Sequence, residues 1–111
     1  MQVFLHADPN TDGGALMATH LSTEVKQALA HFGERITRVE AHLSDANSQA
    51  KSGVGAIHCT LEARLVGEDA VVVKHHADSA HQAIAGALHK LRRAVTAVVD
   101  KHAQHHPSSP D

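Results

Sequence analysis

The stretch from residue 34 to residue 65 constrains the fold more than any other part of the chain. Apolar and polar residues alternate over 34–44 and again over 56–65, with a polar, Gly-containing gap between them. A period of two is typical of a strand with one buried face, because successive side chains point to opposite sides. The pattern therefore predicts an antiparallel hairpin with a long loop. We expect its apolar face to carry Thr37, Val39, Ala41, Leu43, Ile57, Cys59, Leu61, Ala63 and Leu65.

Helical periodicity on both sides of the hairpin supplies the layer that covers this face. Apolar residues recur every three or four positions from Ala15 to Phe32, and Gly33 is expected to stop this first helix. A second helix is predicted to begin at Ser79, which stands three residues before Gln82 in a capping-box pattern. Its apolar stripe extends to about residue 102.

Two further strands complete the sheet. They are predicted at 1–6 and at 70–76, where three consecutive valines favour a strand. A strand, a helix and a strand in succession imply a crossover with the first two strands parallel. The predicted fold class is an α/β (α+β) two-layer sandwich, β-α-β-β-β-α, with a four-stranded mixed sheet and two helices on one face. We expect one domain over 1–102 and a flexible tail over 103–111.

Composition and motifs exclude several classes of function. The chain has 10 Lys and Arg against 12 Asp and Glu, and its only aromatic residues are two Phe. The near balance of charge argues against a strongly basic nucleic-acid binder, and the scarcity of Phe, Tyr and Trp argues against a surface that stacks on bases. We find no phosphate-binding Gly loop, nucleophile elbow or paired-cysteine site, so neither an enzyme nor a cofactor is predicted.

The sequence shows no signal peptide and no membrane-spanning run, which predicts a cytoplasmic location. The single cysteine, Cys59, is expected to be a small buried hydrophobe.

Twelve histidines raise the question of a metal site. His102 and His106 would be one helical turn apart, close to His105 and Asp100, and two such imidazoles can chelate. Because nothing in the sequence supplies a rigid third ligand, solvated side chains are the favoured interpretation and no metal site is predicted. A His-mediated metal binder stays as an alternative.

The sheet face turned away from the helices is expected to be polar and solvated. It would carry Arg38, Glu40, His42, His58, Thr60, Glu62, Arg64 and Lys74. A cross-strand approach of His42 and His58 would make this face sensitive to pH. An ordinary exposed pair is the simpler interpretation, because the sequence does not fix the strand register.

The second helix has a local excess of positive charge. Between residues 89 and 102 it carries Lys90, Arg92, Arg93 and Lys101, with Asp100 as the one acidic residue. Helical spacing predicts that Lys90 and Arg93 point away from the sheet, with Arg92 beside them. Such residues can contact phosphates without reading a base sequence. Basic residues in the second half of a helix also complement the helix dipole, and spacing alone leaves both interpretations open.

Three segments, in this order of elements, resemble a known family. They are RITRVEAHLS at 35–44, CTLEAR at 59–64, and Ala83-Ile84 followed by KLRR at 90–93. Together with the order β-α-β-β-β-α, they are similar to the ribosome hibernation-promoting factor and ribosome-associated translation inhibitor family. The resemblance covers residues 1–102.

The resemblance implies a function. It implies a cytoplasmic factor that binds rRNA phosphates of the small ribosomal subunit and inhibits or modulates translation under stress, with no membrane and no DNA partner. It implies that Lys90, Arg92 and Arg93 contact the rRNA, with Lys101 and Lys26 in support. It also implies a short form, since longer relatives carry a second domain that pairs ribosomes. The alternative from a different class is an interaction module of the same fold, for example a homodimer formed through the valine-rich last strand.

Overall fold

Strands and helices follow one another in the predicted order. The computed structural model describes residues 1–9, 11, 13–45 and 56–104, the side chains of 102–104 excepted. The elements are β1 (Gln2–Ala7), α1 (Ala15–Ala28), β2 (Ile36–Asp45), β3 (Ile57–Leu65), β4 (Val71–Ala77) and α2 (Ala80–Gln104). A 3₁₀ helix, Ala30–Arg35, joins α1 to β2. The predicted order β-α-β-β-β-α is confirmed.

The four strands form one mixed sheet in the order β1-β2-β3-β4. As predicted, β1 pairs with β2 in parallel, because α1 carries the chain back before β2 begins. The pairs β2–β3 and β3–β4 are antiparallel. Both helices cover the same face, since their buried side chains form one cluster with the inward residues of β2 and β3. This leaves β1 and β4 as edge strands.

The core between the layers is aliphatic, with Phe32 as its one aromatic side chain. Its largest fully buried side chains are Leu21, Leu29, Ile36, Leu61, Ile84, Leu91, Val25, Val39, Val95 and Cys59. Burial of Cys59 confirms the prediction of a small buried hydrophobe. Because burial disfavours the thiolate, it raises the pKa of Cys59 to about 12. The thiol is therefore protonated and unreactive in the folded state.

An irregularity near the start of β2 changes which residues face the core. The pairing with β3 shifts between Ile36 and Arg38. Ile36 is fully buried while Thr37 is exposed. The prediction that Thr37 shares the apolar face is wrong, because an extra residue in one strand resets the alternation. Thr37 instead donates its hydroxyl to the carbonyl oxygen of Arg64 at 3.3 Å.

The first helix ends before the predicted position. Leu29, next after α1, already leaves the helical region with φ −112° and ψ 13°. The 3₁₀ helix then buries Phe32, which the sequence pattern had assigned to the α-helix. Gly33 has a φ of 58°, in the left-handed region that favours glycine. Its role is therefore to turn the chain from the 3₁₀ helix into β2.

Some predictions fall outside the described residues. These include most of the predicted β2–β3 loop, from 46 to 55, and the tail from 105 onward. The C-terminal metal alternative is among them, because His105, His106 and the side chain of His102 are not described. Since α2 continues to Gln104, the first residues of the predicted tail are helical, and the domain boundary at 102 stays a prediction. No described helix is long and apolar enough to cross a membrane.

Candidate nucleic-acid interface

The orientation of α2 is fixed at its first turn and along its buried stripe. The backbone N–H of Gln82 donates to Ser79 Oγ at 3.1 Å, which confirms Ser79 as the cap. The Ser79 hydroxyl in turn donates to Gln82 Oε1 at 3.3 Å. Ile84 and Leu91 are fully buried in the core. The residues that follow Leu91 therefore rotate out of the interface between helix and sheet.

Arg92 and Arg93 are the basic residues that this rotation exposes on the outer side of α2. Neither guanidinium forms an ion pair with another described residue. Both line a depression of about 390 Å³, called here the α2 surface, together with His89, Thr96, Ala97 and Asp100. The side chains that would meet a ligand here are thus two unpaired cations, one histidine and one carboxylate.

A groove between the two helices adjoins the α2 surface. Its volume is about 310 Å³, and it is lined by Glu24, Gln27, Ala28, Ala85, Leu88, His89 and Arg92. Arg92 and His89 belong to both depressions, so the groove and the α2 surface are continuous. Arg92 is therefore placed to reach a ligand that lies on α2 or one that lies between the helices.

Lys90 lies beside β4 and not on the outer side of α2. Its Nζ donates a hydrogen bond to the carbonyl oxygen of Lys74 at 2.9 Å. The prediction that Lys90 points away from the sheet is wrong, because β4 is an edge strand whose outward carbonyls attract a donor. In this position Lys90 covers part of the exposed edge of the sheet.

The remaining two predicted residues are exposed but separate from the arginines. Lys101 lies at the C-terminal end of α2 and Lys26 in the last turn of α1. The groove is lined by Glu24 and Gln27, the near neighbours of Lys26, and not by Lys26 itself. The structure thus brings Arg92 and Arg93 together and leaves Lys90, Lys101 and Lys26 outside the surface that they line.

The opposite face of the sheet is polar, as predicted, but its arginines have partners. Arg64 pairs with Glu62 at 3.4 Å, and Arg38 pairs with Glu40. Such pairing satisfies the cations locally and reduces the positive potential available to a polyanion. Arg92 and Arg93, which have no ion-pair partner among the described residues, therefore make α2 the face with the more available positive charge.

Histidines on this sheet face meet in pairs that the sequence pattern did not indicate. His42 lies opposite Thr60 and His58 opposite Ser44, so the strand register does not place His42 and His58 opposite each other. The ring of His42 stacks on that of His6, with centroids 4.7 Å apart. The ring of His58 lies 5.4 Å from that of His76. The sequence did not identify His6 and His76 as the partners of His42 and His58. It shows that both edge strands contain histidine, but it does not fix the register in which the strands pair.

Comparison with known proteins identifies the fold and the family. Two solved structures share the fold. One is a ribosomal subunit interface protein from Coxiella burnetii, with a TM-score of 0.68 and 11% identity, and the match covers 90% of this chain and 99% of that chain. The other is the N-terminal domain of Protein Y from Thermus thermophilus, with a TM-score of 0.62 and 14% identity, and the match covers 85% of this chain and 91% of that chain. No curated protein sequence matches the chain. The profile of the family described as Sigma 54 modulation protein / S30EA ribosomal protein matches residues 10–103. Because that match spans most of the chain and agrees with the resemblance seen in the sequence, the protein belongs to the Sigma 54 modulation protein / S30EA ribosomal protein family.

Proposed function

We propose that this protein is a non-enzymatic, ribosome-associated factor of the cytoplasm that binds small-subunit rRNA and inhibits or modulates translation under stress. Membership of a family described as an S30EA ribosomal protein supports the ribosome as partner. The name of the Coxiella burnetii protein, a ribosomal subunit interface protein, points the same way. The observation that carries the mode of binding is the unpaired, exposed pair Arg92 and Arg93 on the α2 surface.

The chemistry of the α2 surface suits the phosphate backbone of RNA. A guanidinium presents its N–H donors in a planar fork that matches two phosphate oxygens. Binding to phosphates releases counterions and does not depend on base sequence. The chain has no Trp or Tyr with which to stack on unpaired bases. The proposed contact is therefore electrostatic, with Arg92 and Arg93 at its centre and with Lys101, Lys26 and, beside β4, Lys90 in support.

The experiment is co-sedimentation of purified protein with small ribosomal subunits over a series of salt concentrations. We expect the wild-type protein to bind at low salt and to slow translation in a cell-free system. The double variant Arg92→Glu/Arg93→Glu should bind at least ~10-fold more weakly, and its plot of log affinity against log salt should flatten by about two units or more, because two phosphate contacts are lost.

A matched control separates a local contact from an effect of net charge. Arg64→Glu/Lys74→Glu makes the same change in net charge on the opposite sheet face, where both side chains are exposed. We expect this control to bind nearly as well as the wild type. Equal loss in both double variants would contradict a specific α2 contact, and loss in the control alone would place the interface on the sheet. Failure of the wild-type protein to sediment with subunits at low salt would overturn the proposed function.

Pairing through β4, the alternative from a different class, has weaker support. β4 is an edge strand and Val72 is 53% exposed on it. The hydrogen bond from Lys90 to the Lys74 carbonyl, however, occupies one of the groups that a second copy would need for strand pairing. The geometry of the edge therefore favours the rRNA proposal over a homodimer built on this strand.

A further inference from the structure

We propose that His6, Glu40 and His42 form a binding site for a divalent transition-metal ion of the Zn²⁺ type on the sheet face away from the helices. Each residue offers one ligand atom, and the three ligand atoms all lie within 4.8 Å of one another. The site spans β1 and β2, whereas the proposed rRNA contact lies on α2. It is therefore a second site, and it does not depend on the proposed function.

The backbone of the parallel strand pair assembles this cluster. In the register of β1 and β2, His6 lies opposite His42, and Glu40 lies two residues before His42 on the same strand. Residues two apart in a strand share a face, so all three side chains project from the same side of the sheet. The two imidazole rings stack, with an interplanar angle of 17°. Strand pairing thus brings the three side chains together without help from a loop.

One distance in the cluster already matches the spacing that a tetrahedral ion requires, and the other two are no longer than 4.8 Å. With metal–ligand bonds of about 2.0–2.1 Å, neighbouring ligand atoms of a tetrahedral zinc site are ~3.3 Å apart. His6 Nε2 and Glu40 Oε1 are 3.2 Å apart. Rotation of the exposed His42 ring about its terminal torsion is the adjustment that would bring in the third ligand. The fourth position would face solvent and take water.

Arg38 supports Glu40 as a ligand of the proposed site. The Oε1 of Glu40 meets His6 while its Oε2 pairs with Arg38, so the two carboxylate oxygens have different partners. The guanidinium of Arg38 is itself placed over the ring of Phe4, 5.1 Å from its centroid. Arg38 thus orients the carboxylate from its far side, as outer partners do in metal sites.

Calorimetric titration of the untagged full-length protein with Zn²⁺ tests the site. We expect saturable binding at pH 7.5, and at least ~10-fold weaker binding in either His6→Gln or His42→Gln. The matched control is His58→Gln, which removes one member of the other ring pair on the same face and should leave the affinity unchanged. All three histidines are exposed, so the variants should fold, which circular dichroism checks.

A second control addresses the histidines near the C-terminus. In His102→Gln/His105→Gln/His106→Gln the proposed site is intact, and binding should persist. Zinc should also slow hydrogen exchange of the β1 amides in the wild type and not in His42→Gln, because the ion would tie the edge strand to β2. Absence of Zn²⁺ uptake, loss of uptake in the C-terminal variant alone, or unchanged affinity in both His6→Gln and His42→Gln would overturn the proposal.

Discussion

Gly86 lets α2 approach β4 closely at His75. A Cβ added to Gly86 would lie 2.7 Å from His75 Cγ and nearer still to Cδ2 and Nε2, so the imidazole fills the space that a methyl group would need. Burial of this ring, with the charges of Lys90 and His76, lowers the pKa of His75. Glycine in a helix interior costs roughly 0.5–1 kcal/mol relative to alanine. Close packing against the sheet gives a physical reason for a glycine at this position.

Gly86→Ala should therefore destabilise the protein in spite of the better helix propensity of alanine. We expect a loss of about 1–3 kcal/mol in the free energy of unfolding, because the added methyl group overpacks the contact with His75. In a His75→Ala background the same substitution should instead stabilise the protein by about 0.5–1 kcal/mol. Urea unfolding of the four proteins of this cycle measures both effects. Stabilisation by Gly86→Ala in the wild-type background would contradict the close approach.

At the scale of elements, α2 depends on its cap. Ser79 Oγ accepts the Gln82 N–H, which would otherwise lack a partner in the first turn. The first turn of α2 contains no acidic residue to add a favourable charge there. The serine thus satisfies one of the free donors at this end of the helix.

Ser79→Ala should lower the free energy of unfolding by about 1 kcal/mol, within the range of 0.5–2 kcal/mol typical of a lost cap. Ser79→Asp should retain wild-type stability, because a carboxylate accepts the same hydrogen bond and interacts favourably with the helix dipole. Chemical denaturation followed by circular dichroism gives the comparison. Equal stability of the alanine and aspartate variants would show that the cap contributes little.

The elements themselves were predictable because each has its own hydrophobic period. Alternation identified β2 and β3, and three-to-four spacing identified both helices. The bulge that exposes Thr37 was not predictable, because it depends on how β2 pairs with β3 and the residues of β2 alone do not indicate it. The early end of α1 was not predictable either, because the apolar stripe continues through the 3₁₀ helix to Phe32.

The candidate sites were less predictable than the elements. Arg93 could be placed on the outer side of α2, with Arg92 beside it, from helical spacing alone. Lys90 could not be placed, because its partner is a backbone carbonyl of an edge strand that is distant in sequence. The pairing of His6 with His42 depends on a parallel register, which only the folded structure specifies. Local periodicity thus predicts faces, while contacts between distant strands determine which side chains meet.

At the scale of the whole molecule, histidine governs the sign of the charge. The formal net charge is −2 with the 12 histidines neutral, so full protonation would change it to −2 + 12 = +10. Unperturbed imidazole titrates near pH 6.5, within the range of mild acidification. His89 lines both the α2 surface and the groove beside Arg92, so its imidazole lies at the proposed contact.

Binding to small subunits should therefore tighten as the pH falls from 7.5 to 6.0, by about tenfold at low salt, because protonated imidazoles add to the phosphate contacts. Co-sedimentation at the two pH values measures the change. His89→Gln should reduce this pH dependence, whereas the matched variant His31→Gln, at an exposed position in the 3₁₀ helix, should preserve it. The same pH dependence in both variants would show that His89 does not contribute.

The edge position of β1 has a consequence for how the chain acquires its fold. β3 and β4 are neighbours in the chain, whereas Gln2 of β1 must find Arg38 of β2 across the whole of α1. Closing a longer loop costs more chain entropy, so we expect the antiparallel strands to associate early and β1 to dock late. During synthesis β1 emerges before β2, its one strand partner in the described part of the chain. The nascent chain must therefore carry β1 without this partner until β2 has been made.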